Sequence, residues 1–568
     1  MGYSSIRAVL VLTMTIVLTT LLNAQVNVVT ARNDIARDGL NPHESILNQS
    51  NVNRSSFGKI CSAVVDGQLF AQPLVISVKG KNIVYVGTMN GSVYALDGNS
   101  CSQIGHVSLV PSNEEPTQCR DLAGGRCSIV YPLIGILSTP VIDLSSQTIY
   151  VSIETESTSS SCQNSHAESC FIHRLHALDL TTLAEKFQGP VVISGTFGTA
   201  SFQPREHIQR PGLLELPNAM PNGDSAIYLG FSSIAGYGKP GKSIPQGWMF
   251  AYDAQNLAEA PSVWASTPNG EGGGIWQTGG GLAAGLDAPN GKTYLYVTTG
   301  DGTFDVHAGG SDYGDSFVKL TPLLNTIANG YFTPFDQACL NPMDRDFGSG
   351  GIMLAPDVST NYYAVTASKS GVIYVMDRAN PGEYNPPTNH TCPATGSNAN
   401  QEYFQGATQP YFTTPAYWNR YLYYVANRSP LTRYRLNPSC NPGPVCTSGE
   451  IKTSFNFQNG TLPSISSSGN ISGTAIVWAA NGNGWPDAPS PAPAVLYALD
   501  AEHASSGKIP ELWNTSQCPT RDQAGNATKF VVPTVANGMV YLGTMDPSDA
   551  TDTRGELDVY GSTNASCN

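Results

Sequence analysis

The sequence predicts an all-β fold: one eight-bladed β-propeller of four-stranded antiparallel blades, the last blade closed by an N-terminal strand. Three observations predict it. A short strand pattern recurs eight times, a second strand follows each copy, and the final copy is one strand short. Composition agrees. Of 568 residues only 13% are charged, about half the roughly 25% usual in soluble domains. The 57 Gly and 39 Pro argue against helical bundles and coiled coils, and 40% hydrophobic residues are too many for a disordered chain. A formal net charge of −14 argues against non-specific nucleic-acid binding, which needs a basic face.

The first strand pattern appears as Asn82-Ile-Val-Tyr-Val-Gly-Thr88, Gln147-Thr-Ile-Tyr-Val-Ser-Ile153, Ser225-Ala-Ile-Tyr-Leu-Gly-Phe231 and Thr293-Tyr-Leu-Tyr-Val-Thr-Thr299. It continues as Asn361-Tyr-Tyr-Ala-Val-Thr-Ala367, Arg420-Tyr-Leu-Tyr-Tyr-Val-Ala426, Gly473-Thr-Ala-Ile-Val-Trp-Ala479 and Gly538-Met-Val-Tyr-Leu-Gly-Thr544. Such β-branched and aromatic runs, bounded by turn residues, are strands buried on both faces. The second strand usually ends in small-apolar-Asp: Tyr94-Ala-Leu-Asp97, His176-Ala-Leu-Asp179, Phe250-Ala-Tyr-Asp253, Tyr374-Val-Met-Asp377 and Tyr497-Ala-Leu-Asp500, with degenerate copies at 318–320, 434–437 and 557–560. The Asp is expected to accept hydrogen bonds from turn amides. An aromatic residue downstream (Phe187, Trp264, Trp513) is expected on the outer strand, filling the gap between wedge-shaped blades. Successive marks lie 57 to 82 residues apart, more than the roughly 40–50 residues of a compact blade, so most blades carry a loop insertion. After Val531 only three strands remain, and Phe57-Gly-Lys-Ile-Cys-Ser-Ala-Val64 is expected to supply the fourth, leaving no open sheet edge.

Residues 1–24 read as a secretory signal peptide: Arg7, an uncharged apolar run from Ala8 to Leu22, then a small residue before Gln25. The mature domain is then 25–568, secreted or periplasmic, without a lipoprotein cysteine and without a membrane span. The twelve Cys fit an oxidising compartment. Closely spaced Cys119–Cys127, Cys162–Cys170 and Cys440–Cys446 are expected as local disulfides. Chain order pairs the rest as Cys61–Cys101, Cys339–Cys392 and Cys518–Cys567, one of 15 connectivities. Zinc is the weaker reading of these cysteines: no C-x-x-C pair exists, and His166, His173 and His176 do not bracket cysteines at finger spacing.

The repeat in Tyr497-Ala-Leu-Asp500, Gly507-Lys508 and Trp513 resembles that of pyrroloquinoline-quinone (PQQ)-like β-propellers, the quinoprotein alcohol dehydrogenase-like superfamily. That superfamily also includes a non-enzymatic scaffold for outer-membrane protein assembly. Arg32-Asn-Asp-Ile-Ala-Arg-Asp-Gly39, Gly272-Gly-Gly-Ile-Trp-Gln-Thr-Gly-Gly-Gly281, Gly300-Asp-Gly-Thr-Phe-Asp305 and Tyr313-Gly-Asp-Ser316 resemble a secreted bacterial subgroup of unassigned function. The resemblance implies PQQ and calcium in a central funnel. Two departures count against direct transfer: there is no adjacent Cys-Cys pair and no C-x-x-C-H haem site.

The densest chemistry falls between Gly272 and Gly351, where Asp344, Arg345 and Asp346 close a carboxylate-rich stretch. Asp301, Asp305, Asp312 and Asp315 are candidate calcium ligands, since calcium takes six to eight oxygens; the competing reading is turn capping. Trp276 and Gln277, at the start of the fourth blade's innermost strand, are candidate ligand contacts. Trp276 either stacks on a flat ligand in the channel or packs between blades. No G-x-S-x-G elbow, H-E-x-x-H helix or dinucleotide-binding βαβ unit occurs. Two functions compete: a secreted binding or scaffold propeller, whose partner is a small molecule, glycan or protein in the funnel or on the insertions, and a PQQ- and calcium-dependent alcohol or sugar oxidoreductase. A polysaccharide lyase or glycosidase would need two carboxylates flanking a cleft.

Overall fold

A computed structural model describes residues 25–567 except 124, 126, 128–129, 235–243, 278, 288–289, 357–361, 390, 399–401, 441–442, 459, 483–491, 550 and 552. The expected signal peptide, 1–24, lies outside the described residues. Eight antiparallel sheets follow one another along the chain. Their innermost strands are Leu74–Val78, Val141–Asp143, Leu214–Leu216, Ala283–Asp287, Ile352–Leu354, Ala416–Trp418, Ser464–Ser466 and Thr534–Ala536, which define blades 1 to 8. Each repeat run is the second strand of its blade and each small-apolar-Asp run the third. In blade 8 the N-terminal strand Phe57–Val65 pairs with Gly555–Ser562, with a bulge between Lys59 and Cys61. All six expected disulfides are formed, and no helix among the described residues is long and apolar enough to cross a membrane.

The repeat residues have individual tasks. Asp97 accepts hydrogen bonds from the amides of Asn99 and Ser100. Asp179, Asp253 and Asp500 do the same in their own turns. In blades 1, 2, 3, 6 and 8 a tyrosine of the second strand reaches the next blade. Tyr85, Tyr150 and Tyr228 donate to the carbonyl oxygens of Leu180 (2.7 Å), Ala254 (2.9 Å) and Pro322 (2.8 Å), and Tyr541 of blade 8 accepts from Asn82 of blade 1 at 2.9 Å. Trp264 and Trp513 lie buried on fourth strands as expected. Phe187 instead sits in a turn with φ 50° ahead of a two-residue outer strand.

Strand polarity fixes which loops can meet. In a four-stranded antiparallel blade, the turn between strands two and three and the connection to the next blade emerge at the same end. The Asp-rich loop 299–316, the connections 266–282 and 334–351, and Lys369 between the second and third strands of blade 5 therefore share one end of the ring.

The centre of the ring is filled by the N-terminal segment. Val28 bridges Val75 of blade 1. The carbonyls of Val29, Ile35, Ala36, Asp38 and Gly39 accept from Ile142, Ala284, Leu354, Tyr417 and Ile465, in blades 2, 4, 5, 6 and 7. Arg37 donates to the Leu213 carbonyl before blade 3 (3.0 Å) and to the Leu282 carbonyl before blade 4 (2.8 Å). Arg32 donates to the Pro415 and Pro463 carbonyls before blades 6 and 7, and Asn41 reaches the Val535 carbonyl of blade 8 at 2.9 Å. A short segment can touch all eight blades only along the ring axis. The 32–39 motif is thus a plug, with Arg32 and Arg37 fully buried, and it turns the channel into a funnel.

Candidate functional site

The funnel floor is the glycine-rich connection into blade 4. Its innermost strand begins at Ala283, so Trp276 and Gln277 lie in the loop before the strand rather than at its start. This loop crosses the axis. A Cβ on Gly279 would lie 2.7 Å from Leu462 Cδ1 and 2.9 Å from the Phe530 carbonyl oxygen, so only glycine fits between blades 7 and 8. Gln277 is buried with φ 30° and donates to the Gly281 carbonyl at 2.8 Å. It locks the loop.

Trp276 is half-buried on this floor and packs partly against an apolar cluster that includes Phe70, Ile208 and the Cys119–Cys127 disulfide. The guanidinium of Arg210 lies 5.8 Å from the Trp276 ring centroid and 4.9 Å from that of Phe530. Among the described residues Arg210 makes no ion pair or hydrogen bond. Burial works against its charge, and no anion offsets that cost.

Beside Trp276 stands a carboxylate cluster. A Cβ on Gly300 would fall 2.2 Å from Asp346 Oδ1 and 3.0 Å from Trp276 Cδ1, so this glycine lets the indole and the acids approach each other. Asp301, Asp344 and Asp346 each offer an oxygen within 4.8 Å of the others. The Asp301 amide donates to Asp346 at 2.8 Å, while Asp301 Oδ1 is buried and accepts no hydrogen bond. Lys369 pairs with Asp344 at 2.6 Å and also with Asp346. Asp315, fully buried, accepts from the Phe347 amide at 3.0 Å and from Gln337 at 3.4 Å. Burial, then the neighbouring Asp346, raises the pKa of both Asp301 and Asp315. Burial alone would lower Lys369, but the two carboxylates more than compensate and hold it charged.

The four sequence candidates for calcium therefore separate. Asp301 and Asp315 join this cluster with Asp344 and Asp346. Asp312 accepts from the amides of Asn269 and Gly270, and Asp305 accepts from the Asp312 amide at 2.9 Å; these two cap turns. Lys369 and Arg210 carry no local motif, and only the ring brings them to the floor. Asp344 and Asp346 fall inside the stretch the sequence singles out, yet their convergence with Asp301 across two loops has no linear signature.

No protein-family model matches the sequence, and no curated protein matches it. Among solved structures the chain is similar to the quinohemoprotein alcohol dehydrogenase of Comamonas testosteroni, with 14% identity and a TM-score of 0.54 over 95% of this chain and 81% of that one. It is similar to a europium-containing methanol dehydrogenase, with 14% identity and a TM-score of 0.55 over 94% of this chain and 98% of that one. At this identity what is shared is the fold, an eight-bladed propeller.

Proposed function

We propose that this PQQ-like propeller holds a flat polyanionic quinone of the PQQ class together with calcium in its funnel, and acts as an oxidoreductase on an alcohol or sugar. The observation that carries the reading is the juxtaposition, around Gly300 and Trp276, of an aromatic surface, an uncompensated guanidinium and a buried acid cluster. The donor set fits the group. Trp276 offers a stacking face, and Arg210 offers a forked donor to a ligand carboxylate. Asp301, with its orphaned Oδ1, joins Asp344 and Asp346 as hard oxygen ligands suited to calcium. When bound, the quinone supplies the two-electron acceptor. The chain's own residues position and exclude: the plug and the glycine loop close the centre of the ring to water, and Lys369 keeps Asp344 and Asp346 together. Burial and the neighbouring Asp346 favour the uncharged form of Asp315. Six disulfides support a secreted or periplasmic site of action.

The test is a tryptophan-fluorescence titration of the full mature chain with PQQ in calcium buffer, paired with dye-linked oxidation of alcohols and sugars. Saturable quenching that is lost in Trp276→Ala and Arg210→Ala, with dye reduction, is expected. Quenching without dye reduction leaves a binding propeller. No quenching at all removes the quinone and returns the chain to the scaffold reading.

A further inference from the structure

We propose a second metal site, unrelated to the funnel, in the disulfide-stapled insertions of blade 2: Asp121, Glu156 and His166 bind a divalent transition-metal ion of the zinc class. The second strand of blade 2, Thr148–Ser157, runs past its blade and pairs with Glu114–Gln118 from the preceding connection, placing Glu156 opposite Glu115. Asp121 follows in the turn after Gln118, inside the Cys119–Cys127 loop. His166 caps the short helix Ser160–Ser165 in a left-handed conformation, inside the Cys162–Cys170 loop. Two cross-linked loops thus present side chains to the exposed end of one strand.

One ligand atom from each residue lies within 4.8 Å of the other two. His166 Nε2 and Asp121 Oδ1 are 3.6 Å apart, too far for a hydrogen bond and suited to two ligands sharing an ion at ~2.0–2.2 Å from each. The second, independent sign of a missing cation is Glu156. It is only 6% exposed, faces a cleft of about 230 Å³ lined also by Gln118 and Gln163, and among the described residues makes no ion pair with a lysine or arginine. The Gln118 amide donates to it, while Asp121 and Glu115 crowd it with like charge. The nearest cation, Arg120, is 75% exposed and stands 3.7 Å from Asp121 at the rim. One imidazole with two carboxylates favours zinc or a neighbouring first-row ion over calcium, which prefers oxygen alone. The cleft leaves room for water or a ligand atom to complete the coordination shell. The cysteines supply no ligands: both pairs are disulfides that set the loops.

The experiment is calorimetric titration of zinc chloride into tag-free, chelator-treated mature protein, with calcium chloride as comparison. The expected result is one zinc bound per chain and preferred over calcium, with affinity falling more than about tenfold in Glu156→Gln and in His166→Ala. Asp301→Asn should bind this zinc as the wild type does. His166 is partly exposed, so its truncation leaves the ring folded, and far-ultraviolet circular dichroism checks that. Wild-type zinc affinity in both Glu156→Gln and His166→Ala, no zinc binding in the wild type, or loss of binding confined to Asp301→Asn would each overturn the proposal.

Discussion

Asp301 shows how much one side chain can do in a desolvated cluster. Burial and Asp346 raise the pKa values of Asp301 and Asp315 in the folded chain. Above their ordinary values, near 4, the native state therefore holds protons that the unfolded chain has released. Stability contributed by these groups is present at acid pH and falls as pH rises through that window. Asp301→Asn removes the conflict. In calcium-free buffer this variant should melt at a higher temperature than wild type at pH 8 and close to wild type at pH 4. Millimolar calcium should stabilise the wild type and leave the variant unmoved; differential scanning fluorimetry reads both. Equal melting of the two proteins at pH 8 would mean that the native cluster carries no electrostatic penalty.

The repeat is legible in the sequence because each of its residue types does the same job in several blades. The Asp closes its own turn, the Tyr hydroxyl reaches the next blade, and the outer Trp fills the widening gap. Tyr150→Phe leaves the buried Ala254 carbonyl without its donor and should cost about 1–3 kcal/mol in urea unfolding. Trp513→Ala is more severe. Trp513 is fully buried, edge-on to Phe57 at 4.9 Å and to Tyr560 at 5.6 Å, so it joins blade 7 to the strand that closes blade 8. A loss of about 3–5 kcal/mol is expected, with earlier exposure of the 57–65 strand in hydrogen exchange.

At the scale of the whole ring, closure is carried three times over. The Phe57–Val65 strand completes blade 8, Cys61–Cys101 ties that strand to blade 1, and the 28–41 plug touches every blade. Arg37 is the plug's most connected side chain, donating to Thr30 and to four carbonyl oxygens, of Ala31, Asp34, Leu213 and Leu282. Arg37→Ala strands several buried acceptors at about 1–3 kcal/mol each. It should lower the melting temperature of the entire propeller in one transition, as calorimetry can show. An unchanged melting temperature would make the plug a passenger.

What the sequence by itself determined is everything that repeats or is local. Strand periodicity, the Asp turns, the blade count and the closing strand are short-range patterns copied eight times, and copying makes a weak signal strong. Close spacing for three pairs and chain order for the other three also led to the six disulfides, because each partner lies in the same or an adjoining blade. The tertiary structure alone decided the site. Asp305 and Asp312 look like Asp301 in sequence, yet their loop spends them on turn amides while Asp301 meets Asp344 and Asp346 from a different connection. Arg210, Lys369 and the plug arginines converge from distant parts of the chain because a closed ring directs corresponding loops of every blade to one axis. Linear spacing carries no record of that convergence.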